Sequence, residues 1–91
     1  MADTNRTTIF KCIAAAFHDA GLNKITSEEQ SIAWGTIPGN VIDDIADAIQ
    51  QCIKGKIKDP GDLIGPINAW AGMTKVMPVK TLIDNILELM K

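Results

Sequence analysis

Between Pro38 and Gly55 the chain sorts its side chains by polarity at a helical period. At about 100° per residue, Val41, Ile42, Ile45, Ala46, Ala48, Ile49, Cys52 and Ile53 fall in one sector roughly 160° wide. Asp43, Asp44, Asp47, Gln50, Gln51 and Lys54 fill the other side. This spacing predicts an amphipathic helix around which the rest of the chain is arranged. Asn40 is placed to cap its first amides, and Asp43 and Asp44 suit the positive end of the helix dipole. Lys54 suits the negative end, and Gly55 supplies a residue able to take a left-handed stop.

The flanking segments carry the same period. Thr4 or Asn5 caps a predicted first helix reaching about Ala20, after a frayed start over residues 1–5. Its buried face is Ile9, Phe10, Ile13, Ala14, Phe17 and Ala20, with Ala16 at the edge. Gly21 stops it and Leu22 folds back on the last turn. Thr26-Ser27-Glu28-Glu29 reads as a capping box opening a short helix from Ser27 to Trp34. Beyond the polar connection Lys54 to Asp62, Asp59 and Pro60 suit a cap and a first helical position. Leu63, Ile67 and Trp70 then share a face in a stretch interrupted by Gly65 and Pro66 and ending near Gly72. A last helix runs from about Lys75 to Met90, with Pro78 tolerable only in its first turn. No strand alternation, internal repeat or low-complexity tract is visible. The expected fold is all-α: one single helical domain over residues 1–91, a compact bundle of three main helices plus two short helices.

The stripe of the last helix changes this picture. Val76, Val79, Leu82, Ile83, Ile86, Leu87, Leu89 and Met90 cover more than the slightly over 100° that packing on one small core requires. Val79, Leu82, Ile83, Ile86, Leu89 and Met90 are therefore the expected interface of a homodimer across a two-fold axis.

Composition sets the class. Apolar residues are 46% of the chain, enough for a folded core, with two Phe, two Trp and no Tyr. The net charge of −2 argues against nucleic acid as the main partner. No apolar run approaches the roughly 20 residues of a membrane span, and the polar MADTNRTT start lacks the apolar centre of a signal peptide. A cytoplasmic protein is expected. Cys12 and Cys52 are far apart in the chain and each lies at or beside an apolar helix face, so both are expected as buried free thiols.

Candidate chemistry adds little. Asp43-Asp44-Ile45-Ala46-Asp47 matches the D-D-x-x-D pattern that holds magnesium and diphosphate in isoprenoid synthases, but the large helical barrel and second acidic motif of those enzymes are missing. A solvated helix face is the better reading, and no metal or cofactor is expected. Phe17 to Trp34 admits a helix-turn-helix reading, yet Glu28 and Glu29 would then meet phosphates head on. Size and acidity are those of acyl carrier proteins, but Ser27 and Ser31 do not occupy the position that carries their prosthetic arm. His18, the single histidine, falls on a polar face with no Cys or Ser partner. These readings argue against an enzyme, although distant residues could converge in the fold. Lys54, Lys56 and Lys58 form a candidate partner-docking patch. The chain reads as a small non-enzymatic regulator, adaptor or inhibitor that binds a partner protein. By size and lack of motifs it fits the mobile-element or phage type. The alternative is a nucleic-acid-associated regulator that binds as a dimer through the lysine-rich loop.

Overall fold

The computed structural model describes residues 4–22, 24–57 and 61–90, apart from the side chain of Thr4. Its described elements run in the order α1 (Thr4–Asp19), β1 (Ser31–Ile32), a 3-10 turn (Trp34–Thr36), α2 (Gly39–Lys54), α3 (Ile64–Met73), β2 (Met77–Pro78) and α4 (Val79–Leu89). The result is a mostly helical, compact globule.

Helix α2 takes its place because its apolar sector is nearly continuous. Ile42, Ile45, Ala46, Ile49 and Ile53 are buried, while Asp43, Asp44 and Asp47 face water. It packs against α1 on one side and α3 on the other, and α1 also packs against α4. The expected caps of α2 are corrected. Pro38, not Asn40, is the N-cap, and its carbonyl accepts the amides of Val41 and Ile42. Gly55 stays right-handed at φ −83°. Gly21 does take the left-handed conformation, φ +73°, and the Leu22 amide reaches back to the Phe17 carbonyl. On α1 the buried face is Ile9, Cys12, Ile13, Ala16 and Phe17, rotated enough to leave Ala20 exposed.

The largest departure lies between α1 and α2. Residues 27–33 form no helix, and Trp34 only opens the 3-10 turn. Instead β1 pairs antiparallel with β2, placing Ser31 opposite Pro78 and Ile32 opposite Met77. The predicted capping box does not close. The Thr26 amide donates to Gln30 Oε1 at 2.9 Å, and Gln30 Nε2 donates to the Lys24 carbonyl at 2.9 Å, so Gln30 braces the loop. The pairing also solves a problem for α4. Its Pro78 N-cap has no side chain able to accept a bond, yet the first amides of a helix need acceptors. The Val79 amide donates to the Gln30 carbonyl and the Lys80 amide to the Glu28 carbonyl, both at 2.8 Å. The last helix therefore starts at Val79, later than expected, and Val76 lies outside it with 57% exposure.

Helix α3 is capped from two sides. Gln50 Oε1 of α2 accepts the Leu63 amide at 3.0 Å, and Asp62 Oδ1 accepts the Ile64 amide at 3.0 Å. Gly65 and Pro66 fall within the first turn, where a missing amide does no harm. The expected cap and first position at Asp59 and Pro60 lie outside the described residues.

Cys12 and Cys52 are not free thiols. They form a disulfide between α1 and α2, with Cα atoms 5.6 Å apart, inside the usual range for such bonds. Helical phase had placed both on apolar faces; the packing of the two helices turns those faces toward each other.

Candidate interaction surface

The 3-10 turn lies beside a surface where apolar and polar groups converge. Trp34 leaves β1 and inserts into the core with 1% exposure, its ring edge-on to Phe17 at a centroid distance of 5.8 Å. Thr36 and Ile37 amides close the turn on the carbonyls of Ala33 and Trp34. The Gly35 amide donates to the Lys75 carbonyl at 3.0 Å, tying this turn to the connection after α3. Glycine permits that approach: a Cβ at position 35 would lie 3.3 Å from Lys75 Cβ. The indole Nε1 of Trp34 is buried and has no hydrogen-bond partner among the described residues.

Beside this junction lies a shallow groove of about 320 Å³, walled by Trp34, Ile37 and Ile42 and by Asn68, Ala71 and Lys75. Asn68 Nδ2 donates to Asp43 Oδ1 at 2.5 Å and to the Ile64 carbonyl at 2.8 Å, which fixes one wall. The segment 71–75 that forms the other side continues into the most exposed apolar groups described, Met73 at 84% and Val76 at 57%. A large exposed methionine next to a groove departs from the ordinary surface, where long apolar side chains turn inward. A second crevice of about 210 Å³ is lined by Phe17, Leu22, Ile25, Ile32 and Ile37, with Gln30 at its edge. The side-chain amide of Gln30 is already engaged with Thr26 and Lys24.

The sequence candidates are dispersed. Lys54 and Lys56 are exposed near the end of α2, and Lys58 lies outside the described residues. Among the described residues no three His, Cys, Asp or Glu side chains converge in a way that could hold a metal ion, and Asp43 is committed to Asn68. The His18 side chain is 88% exposed, with Nδ1 3.6 Å from Asp19 Oδ1. The expected dimer stripe is covered within one chain. Val79, Leu82, Ile83 and Ile86 have no exposure and Met90 has 8%, which leaves only Leu89 open at 40%. The geometric ground for pairing through those six residues is therefore removed: α1 and the β1–β2 junction supply the cover that the stripe had been expected to find on a second copy. Among the described residues, no helix is long and apolar enough to cross a membrane.

Sequence reasoning also missed Arg6. Its Nε and NH2 groups reach Glu28 Oε1 at 2.8 and 2.7 Å, and NH1 reaches Asp84 Oδ1 at 2.5 Å. The hydrogen bond to Asp84, and then that to Glu28, holds the guanidinium above its ordinary pKa. Nothing in local spacing signals a triad whose members are 22 and 78 residues from Arg6.

No family model, curated protein or solved structure matches the chain.

Proposed function

We propose that the chain is a small non-enzymatic interaction protein, a regulator, adaptor or inhibitor, that binds a partner protein through the groove beside Trp34 and its rim at Met73 and Val76. The exposure of Met73 carries this reading. An unbranched thioether adapts to irregular apolar surfaces, and methionine is enriched where proteins meet. The rim continues into a groove whose far wall, Asn68 with Asp43, offers polar groups held in place. That combination of an apolar anchor and a fixed polar edge is what a protein surface needs for a specific contact.

The test is affinity capture from the native host with the wild-type chain and with a Met73→Asp, Val76→Asp double variant. Both positions are exposed, so the variant keeps the wild-type melting temperature. A stoichiometric partner retained by wild type and lost by the variant supports the reading. Equal capture by both removes it. Loss confined to a Lys54→Glu, Lys56→Glu variant moves the contact to the lysine run.

A further inference from the structure

We propose that the Cys12–Cys52 bond is a reversible redox control on the stability of the fold, opened from the Cys52 side by a dithiol reductant. The chain has two cysteines, so no other intramolecular pairing competes. The bond joins α1 to α2 across a sequence separation of 40 residues. Closing a loop of that length restricts the unfolded chain strongly, so the oxidised form is the more stable.

The fold does not depend on the bond to bring the two helices together. Ile9, Ile13 and Ala16 on α1, and Ile45 and Ile49 on α2, are buried in the same core as the sulfur atoms. Two free thiols are small, weakly polar groups that such a core accepts. Reduction thus removes the covalent tie and leaves the apolar contact in place.

The two sulfurs are not equivalent. Cys12 has no exposure, whereas Cys52 is only partly buried. A reductant thiolate reaches Cys52 Sγ first. The new sulfur–sulfur bond forms as the bond to Cys12 breaks; Cys12 leaves as a thiolate and takes a proton. The second thiol of the reductant then attacks its own sulfur in the mixed disulfide, closing the reductant to a cyclic disulfide and releasing Cys52 as a thiol. Two electrons and two protons pass from reductant to protein.

The test begins with thermal melting of the full chain, oxidised and in excess dithiothreitol, with thiol state verified by intact mass. Two cooperative transitions are expected, the reduced one lower by about 10–25 °C. A Cys12→Ala, Cys52→Ala variant should melt near the reduced wild type and ignore the reductant. Equal melting of the two wild-type forms overturns the proposal, as does an unfolded reduced chain or an air-exposed chain that keeps two free thiols. The direction of opening is read on the wild-type protein alone. Limiting reduced glutathione, followed by alkylation and peptide mapping, should place the glutathione adduct on Cys52. An adduct on Cys12, or an equal division, overturns the assigned side.

Discussion

The ring of Phe17, in the last turn of α1, meets the indole of Trp34 edge-on, with their planes at 80°. This contact seals the end of α1 against the turn that leads into α2. Both side chains are almost fully buried. Phe17→Ala should destabilise the chain by about 3–5 kcal/mol, from lost burial and the cavity left behind. Trp34→Phe should cost less, because it also removes a buried N–H that has no acceptor among the described residues. Denaturant melts of the two variants check the order; a larger loss in Trp34→Phe refutes it.

The Arg6 triad should behave as a partly exposed network. Arg6→Ala is expected to cost about 1 kcal/mol, shrinking as salt rises. Arg6→Lys should recover little of it, since one ammonium cannot hold both carboxylates in a fork. The raised pKa gives a contribution fully present below the ordinary arginine value and lost only as pH rises through the higher folded value. The ionisation of Arg6 should therefore add no slope to stability across the neutral range. Melts of wild type and Arg6→Ala at several salt concentrations and pH values test both statements.

Gln50 carries a similar burden for α3. Gln50→Ala leaves the Leu63 amide without its acceptor and should cost about 1–2 kcal/mol. Gln50→Glu keeps an acceptor at the same reach and should lose less. Hydrogen exchange at Leu63 gives a local reading of the same effect, faster in Gln50→Ala than in Gln50→Glu.

The covered stripe of α4 makes a contrasting pair. Leu82→Glu places a charge where there is no exposure and should unfold the chain, as should Ile49→Asp on α2. Leu89→Glu, at a position 40% exposed, should change stability by about 0.5 kcal/mol or less. Circular dichroism melts distinguish the three. A cooperative wild-type melt for Leu82→Glu would show that α4 is covered some other way.

How far the fold was legible follows from the range of its determinants. The period of α2 and the stop at Gly21 are local, and spacing alone placed them. The last helix was found but begun too early. Its start is set by the carbonyls of Glu28 and Gln30, which lie about fifty residues away and leave no trace in the sequence around Pro78. The same pairing turned a promising capping box at Thr26 into a loop and strand. The cover of the α4 stripe was hidden for a related reason. Its width was read correctly, but the cover comes from elements whose positions only the tertiary fold reveals. The candidate surface was the least legible part. Met73 gave no periodic signal, and Val76 had been assigned to the apolar face of a helix it does not join.

The pairing of α1 with α4 also bears on how the chain folds as it is made. Synthesis runs from the amino end, so α1 and α2 emerge first and can pair early, bringing Cys12 beside Cys52. The face that α1 presents to α4, and the acceptors on Glu28 and Gln30, then wait uncovered until α4 leaves the ribosome. A nascent chain halted just before Met77 would carry α1, α2 and α3 with Ile32 still lacking its cross-strand neighbour. Arrival of β2 and α4 is thus the step that closes this unit, and the interval before it is when an exposed apolar face is most open to capture by a chaperone.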